Sequence, residues 1–149
     1  MTQLRDLKFK DLQSKKIAKE QLEMSRDIAE KTHILSVNDA FYKYFRTGNF
    51  DAMSELWHES DQVSVVHPNW PVIDGYEDVM DSWFRIMVEG VPPKIFPENP
   101  IVLQTGNTAI VYCEENLGSN RTIASNIFRK VKGQWKLVQH VVSSLPDPE

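Results

Sequence analysis

The amino-acid sequence predicts an α+β protein in which helices pack on one face of a curved, mostly antiparallel sheet. Helical periodicity fills the first half of the chain, and β-branched runs separated by turn residues fill the second half from Lys94 onward. Helices followed by a run of strands are typical of this fold class. The 149 residues, 41% of them apolar, are enough for one domain that folds without disulfides.

Residues 1–31 are predicted to form an N-terminal helical extension, and residues 32–146 the domain itself. The extension is rich in charged residues, contains neither Gly nor Pro, and places opposite charges four residues apart. Its apolar stripe is thin, so we expect most of this helix to be solvated.

Three further helices are predicted within the domain. Apolar residues recur with helical spacing from Val37 to Phe45, and Gly48 is placed to end that helix. A short helix is expected over residues 50–57, after the turn RTGNFD. The last helix begins after Gly75 and must stop before Pro92, because proline cannot continue a helix.

A short strand lies between the second and third of these helices. In VSVVHPNWP, counting by two from Val63 places His67 on the same inner face as Val65. A histidine at such a position is either a hydrogen-bonded core residue or part of a functional site. The Pro68-Asn69-Trp70-Pro71 loop that follows is stiffened by its two prolines.

Four antiparallel strands are predicted after Lys94, joined by hairpin turns at Gly106-Asn107, at residues 118–120 and at Lys132-Gly133. Both faces of this sheet carry apolar residues: Ile123 and Ile127 alternate with Ala124 and Phe128 along one strand. A sheet with one face in water usually alternates apolar and polar residues, so we expect a homodimer through the second face. The alternative is that the N-terminal helix covers that face.

Composition disfavours several classes of function. The net charge of −4 gives no general attraction to nucleic acid or anionic membranes, and an 18-residue apolar run and a signal-peptide segment are both absent. The single Cys113 excludes an internal disulfide, so we expect a cytoplasmic protein. The four histidines lack zinc-site spacing and no dinucleotide motif is present, so we predict no metal, cofactor, nucleic-acid or membrane partner.

Two motifs indicate a family. One is TGNFDAM followed by a Trp, the His-Pro that ends the first strand and a Gly; the other is the ending GQWKLVQH. Together they resemble the SnoaL-like proteins, which belong to the superfamily of nuclear transport factor 2 and the ketosteroid isomerases. The match covers about residues 33–145. The resemblance implies a cone-shaped fold, with a strongly bent sheet wrapped around about three helices, a pocket open at one end, and a homodimer through the sheet.

The resemblance also implies catalytic positions. In ketosteroid isomerases a carboxylate base precedes a proline at the end of the first strand, while a tyrosine and a protonated aspartic acid hold the enolate oxygen. His67 takes the base position in this sequence, Ala40 the tyrosine position and Asn126 the position of the acidic donor. None of these residues matches, so we do not expect steroid isomerisation by the family mechanism.

A different acid–base site is the leading hypothesis. His67 carries a side chain that ordinarily titrates near neutrality, and the Asn126 amide is able to donate to a developing oxyanion. The residues expected to bind the substrate are Trp57, Trp70, Trp83, Tyr112 and His140. Core packing is the alternative for Trp57 and Trp83, and strand alternation places His140 opposite Trp135, on either the pocket or the dimer surface.

Two functions from different classes therefore remain open. One is the binding of a small apolar or polar-aromatic molecule in the internal pocket, with or without cofactor-independent isomerase, cyclase or dehydratase chemistry. The other is a non-catalytic dimerisation or scaffold module. An open cavity of ligand size favours the first, and an interior filled by side chains favours the second.

Overall fold

The computed structural model describes residues 2–145 and confirms the predicted α+β fold. This part of the chain contains three α-helices, α1 (Thr2–Thr47), α2 (Phe50–Leu56) and α3 (Tyr76–Phe84), and a π-helical turn at Arg85–Glu89 extends α3. The six strands within residues 2–145 are β1 (Ser64–Val66), β2 (Ile73–Asp74), β3 (Phe96–Thr105), β4 (Thr108–Asn116), β5 (Arg121–Val131) and β6 (Gln134–Ser144).

The chain divides into two compact units, Met1–His33 and Ile34–Glu149. Helix α1 is continuous across this division, so the extension and the first helix of the domain are one element rather than two. The first unit is helical, and its large apolar side chains from Leu4 to Ile28 are exposed, as its thin apolar stripe predicted. The division falls two residues after the boundary predicted from composition.

One mixed sheet forms in the second unit, with the strand order β2-β1-β6-β5-β4-β3. The predicted meander of β3 to β6 is confirmed, because each of these strands pairs antiparallel with the next. Strand β1 pairs parallel with β6 and antiparallel with the two-residue β2. This parallel pairing brings the end of β1, where His67 lies, beside the second half of β6.

The core lies between the inner face of the sheet and the helices. Phe41 and Phe45 of α1 contact Trp83 of α3, with ring centroids 5.5 and 4.9 Å apart. The strands contribute alternate residues to the same cluster, including Val111 and Phe128. Helix α1 ends at Gly48, whose φ of 67° suits glycine, and an added Cβ there would lie 3.2 Å from Pro92 Cγ.

A β-bulge in β6 changes which residues face inward. Ile127 pairs with Gln139 whereas Phe128 pairs with Leu137, so Val138 is an extra residue on β6. Beyond the bulge the alternation is shifted by one residue, and His140 shares the inner face with Trp135 and Leu137. The predicted placement of His140 opposite Trp135 was therefore wrong.

Candidate functional site

A cavity of about 240 Å³ lies at the inner face of the sheet, beside the end of β1. It is lined by Phe45, His67, Pro68, Trp70, Ile86, Pro93, Ile95, Glu115, Leu117, Thr122, His140 and Val142. The wall is mainly apolar, and four polar side chains converge on it, which is the usual character of a small-molecule site. A larger hollow of about 450 Å³ at the start of α3 is an open, acidic groove and lacks this character.

His67 reaches the cavity because of the turn that follows β1. The His67 carbonyl accepts a hydrogen bond from the Trp70 amide at 3.0 Å, and Asn69 has a φ of 66°. Pro68 followed by a residue with positive φ is the pattern of a type II turn, in which asparagine is tolerated. The turn places Trp70 edge-on against His67, with ring centroids 5.0 Å apart.

The hydrogen bond between His67 and Ser82 fixes the tautomer of the imidazole. The Ser82 hydroxyl donates its one hydrogen to the Val79 carbonyl at 2.6 Å, so its oxygen accepts from His67 Nε2–H at 2.9 Å. Burial, and to a lesser degree His140, lower the pKa of His67 to about 3. The ring is therefore neutral at pH 7, with Nδ1 as its hydrogen-bond acceptor.

Asn126 lies at the centre of a buried hydrogen-bond network. Its Nδ2 donates to Asn38 Oδ1 at 2.9 Å and to the Tyr42 hydroxyl at 3.0 Å. Its Oδ1 lies 2.5 Å from His140 Nδ1, which must therefore carry the hydrogen. Both polar atoms of the Asn126 amide are thus occupied by protein partners, and its side chain does not line the cavity.

His140 is the second neutral imidazole of the site. Burial lowers its pKa to about 3, and its Nδ1–H is donated to Asn126. Nε2 is then the acceptor of the ring, and it lies 3.9 Å from Glu115 Oε2. That distance is too long for a direct hydrogen bond.

Glu115 is a buried carboxyl group held by two hydroxyls. Its Oε2 accepts from the Tyr42 hydroxyl at 2.8 Å, and its Oε1 accepts from Thr122 Oγ1 at 2.7 Å. Burial raises the pKa of Glu115, and the two hydrogen bonds oppose that rise by stabilising the ionised form. The neighbouring Cys113 thiol is also buried, which raises its pKa to about 11 and makes it a poor nucleophile.

The structure brings together three of the residues predicted for the site. His67, Trp70 and His140 line the cavity. Asn126 lies behind the wall. Trp57 and Trp83 belong to the core, with ring centroids 6.2 Å apart, and neither lines the cavity.

Tyr112 is on the opposite side of the sheet. Val111 and Cys113 take the inner face of β4, so Tyr112 points outward and is 37% exposed. It forms no part of the cavity wall. This placement follows from the alternation of side chains along a strand.

Sequence reasoning missed four polar residues of the site, Asn38, Tyr42, Glu115 and Thr122. Glu115 follows Val111 and Cys113 at a spacing of two, so alternation alone signals that it faces inward. Tyr42 and Asn38 are four residues apart on one face of α1. Helix α1 therefore does carry a tyrosine hydroxyl, at Tyr42, two residues after Ala40, which takes the tyrosine position implied by the resemblance to ketosteroid isomerases.

The site has acid–base groups of two kinds. Two neutral imidazoles present acceptor nitrogens, and one carboxyl group with a raised pKa can hold or release a proton. No group of three or more His, Cys, Asp or Glu side chains that could hold a metal ion occurs within residues 2–145. Nor does any helix in that range have the length and apolar character needed to cross a membrane.

This fold, with its cavity between a mixed sheet and helices, defines a small α+β protein of the nuclear transport factor 2-like class. The family model of the SnoaL-like domain matches residues 34–148, which is most of the chain. The protein belongs to the SnoaL-like domain family.

Comparisons with individual proteins agree with this assignment. The chain is 31% identical to a solved structure from Streptomyces avermitilis, described as a proposed dehydratase of the NTF2-like family, with a TM-score of 0.73 over 81% of this chain and 99% of the other. A proposed ketosteroid isomerase from Parabacteroides distasonis, at 18% identity over 75% of this chain and 85% of the other, has a TM-score of 0.61 and shows the fold alone.

A similarity also exists to a longer plant protein. The chain is 28% identical over 116 residues to the F-box protein SKIP8 of Arabidopsis thaliana, which covers 72% of this chain. The match spans 47% of the plant protein, so the chain corresponds to about half the length of this relative.

Proposed function

We propose that this protein binds a small, mainly apolar molecule in the cavity and moves a proton on it without a cofactor. The observation that carries the proposal is the convergence of Glu115, His67 and His140 on one apolar cavity of about 240 Å³. This volume equals that of roughly eight water molecules at liquid density. The cavity therefore suits a ligand of about one aromatic ring with a short substituent.

Glu115 is the group that moves the proton in this proposal. A general acid or base works best when its pKa lies near the operating pH. The pKa values of about 3 make His67 and His140 weak bases, whereas burial raises the pKa of Glu115 above its usual value. The acid–base role first considered for His67 thus passes to Glu115, and the two histidines orient the ligand.

The dehydratase description of the Streptomyces avermitilis relative supports a lyase or isomerase reaction, because such reactions need proton transfer and no redox cofactor. The match to this relative covers 99% of the relative's own chain. The identity of the substrate is a separate question, since one fold of this kind hosts many reactions.

Ligand-observed NMR with indole and toluene as probes tests the binding step. Both probes should bind to the full chain with exchange that is fast enough to give saturation transfer. The variant Val142→Trp should abolish binding, because Val142 lines the cavity and a bulkier side chain fills it. Val91→Trp is the matched control, because Val91 is 92% exposed and lies outside the cavity.

Equal binding by both variants would contradict the proposal. So would a failure of wild-type protein to bind either probe at millimolar concentration. Native mass spectrometry of the freshly purified chain adds a second measurement, since a retained small molecule should appear as extra mass that Val142→Trp loses.

The partner of the outer sheet face is proposed to be a second copy of the chain. Ile101 and Leu103 of β3 lie opposite Tyr112 and Ile110 of β4, and all four project from the outer face. Ile101 is 59% exposed and Leu103 54% exposed. A contiguous apolar patch of this kind is typical of an interaction surface.

Sedimentation velocity at micromolar concentration tests the dimer. The wild-type chain should sediment at about twice 17.2 kDa. Leu103→Asp should shift the population to monomer, while Val91→Asp should leave it unchanged. A wild-type monomer under these conditions would remove the proposal.

A further inference from the structure

We infer that the cavity selects a ligand that carries a hydroxyl group, in preference to the matching ketone or carboxylate. The inference rests on the proposed function and names the class of molecule that the same cavity takes. It follows from the hydrogen positions on His67, His140, Thr122 and Tyr42, which decide whether each of these side chains is a donor or an acceptor toward a ligand.

The acceptor at His67 is set by residues behind the cavity wall. Ser82 uses its only hydrogen on the Val79 carbonyl, so it can bind His67 Nε2 only as an acceptor. The hydrogen of the neutral ring is therefore on Nε2. Nδ1 has a free lone pair and no hydrogen to offer a ligand.

The acceptor at His140 is set in the same way by Asn126. The amide nitrogen of Asn126 is directed to Asn38 and Tyr42, which leaves its oxygen facing His140 Nδ1. The hydrogen of this ring is therefore on Nδ1, and Nε2 is an acceptor. Both imidazoles thus present lone pairs, although they use opposite nitrogens to do so.

The hydroxyls near the cavity are also committed. Thr122 and Tyr42 both donate to Glu115, so neither has a hydrogen left for a ligand. The gap of 3.9 Å between His140 Nε2 and Glu115 Oε2 is short enough for one ligand oxygen to lie at hydrogen-bond distance from both. A hydroxyl can donate to the imidazole and also accept from Glu115 when that group is protonated, whereas a carbonyl oxygen can only accept.

Charge selects against anions. The lining contains no Lys or Arg, and its one charged residue type is the acid Glu115. A carboxylate ligand would lie in an apolar cavity beside Glu115 and two neutral rings with no cation to balance it. The expected ligand is therefore an uncharged alcohol or phenol.

Four matched probes test the inference on the full chain: 1-phenylethanol, acetophenone, ethylbenzene and benzoate. They share an aromatic ring and differ in the polar group, so their dissociation constants by NMR titration isolate its contribution. We expect 1-phenylethanol to bind at least about fivefold more tightly than acetophenone or ethylbenzene, which is the effect of one neutral hydrogen bond. Benzoate should bind most weakly.

The variant Ser82→Ala sharpens the test. It removes the acceptor that holds the His67 hydrogen on Nε2 and allows the other tautomer, with a donor at Nδ1. The ratio of alcohol to ketone affinity should then fall by at least about twofold. Ser119→Ala is the control, because Ser119 is an exposed turn residue and the ratio should not change.

Nitrogen-15 NMR of the imidazoles gives a measurement that needs no ligand and no variant. Wild-type protein at pH 7 should show His67 as the Nε2–H tautomer and His140 as the Nδ1–H tautomer. The opposite tautomer at either ring, or tighter binding of acetophenone than of 1-phenylethanol, would overturn the inference alone. Binding of none of the four probes would overturn the proposed function and this inference with it.

Discussion

The two faces of the sheet differ in their exposure to solvent, and the adjacent residues Glu114 and Glu115 show the contrast. Glu114 lies on the outer face, where it forms a partly exposed ion pair with Arg121 at 3.4 Å. Glu115 lies on the inner face and is buried, with Tyr42 and Thr122 as its donors. One residue along the strand separates a solvated carboxylate from a carboxyl group whose pKa is raised.

The contrast extends along both faces. The outer face places apolar residues, such as Ile101 and Leu103, in contact with solvent. The inner face places polar residues, such as Asn126 and His140, where solvent is largely excluded. A polar residue in a core costs free energy unless it is hydrogen-bonded, and an apolar residue on a surface gains by being covered. The inner face is therefore suited to a small-molecule site and the outer face to a protein partner.

The largest expected effect is a loss of stability at mildly acidic pH. His67 and His140 have folded-state pKa values of about 3, against about 6.5 when unfolded, so below pH 6.5 the unfolded chain binds more protons. Lowering the pH from 7 to 5 should reduce the free energy of unfolding by on the order of 4 kcal/mol for the two rings together. Glu115, with its raised pKa, contributes a change of opposite sign, because the folded state binds its proton more tightly than the unfolded state does.

Urea denaturation at a series of pH values measures this dependence. His67→Phe should retain about half of the decrease in unfolding free energy between pH 7 and 5, because one buried imidazole remains. Val91→Ala should retain all of it, since Val91 is 92% exposed and carries no titratable group. An unfolding free energy that is flat between pH 7 and 5 would show that the rings are not held neutral by burial, and the contrast between the faces would lose its electrostatic basis.

Much of the fold could be predicted from the sequence because its signals are local. The spacing of apolar residues identified the helical segments, except that the boundary predicted near residue 32 lies inside the continuous helix α1, and the turn residues after Lys94 identified the four-stranded meander. The bulge at Val138 was not predicted, because β6 is apolar on both sides of it and no glycine or proline marks it. The parallel pairing of β1 with β6 depends on residues about 75 positions apart and has no local signal.

The candidate site was predicted less completely. His67 was found because a histidine at the end of a valine strand is unusual, and Trp70 because it follows in a stiff turn. Tyr42 was not among the predicted site residues; its ring packs in the core, and only its hydroxyl enters the network. Because a tyrosine has an apolar ring and a polar hydroxyl, it can pack in a core and also belong to a polar site, and the periodicity of apolar residues does not distinguish these two roles.

A second prediction compares neighbouring residues on the two faces of β5. Asn126→Leu should lower the free energy of unfolding by about 3 kcal/mol, because Asn38, Tyr42 and His140 would each lose a buried hydrogen-bond partner. Ser125→Ala, one residue away on the outer face, should change it by no more than about 0.5 kcal/mol. Comparable losses in both variants, measured by urea denaturation, would show that the network is not what distinguishes the faces.

The smallest predicted effect isolates one hydroxyl of the inner network. Tyr42→Phe keeps the aromatic packing against Phe41 and removes the donor to Glu115 and the acceptor for Asn126. The loss of these two hydrogen bonds should cost about 1–2 kcal/mol of unfolding free energy, and the pKa of Glu115 should rise further without the Tyr42 donor. Tyr44→Phe, two residues along the same helix and outside this network, should be nearly neutral. Carbon-13 NMR of the Glu115 carboxyl group follows the pKa directly. If Tyr42→Phe leaves that pKa unchanged, the hydroxyl does not help to hold the carboxylate, and the pKa of Glu115 must be set by burial and the Thr122 donor.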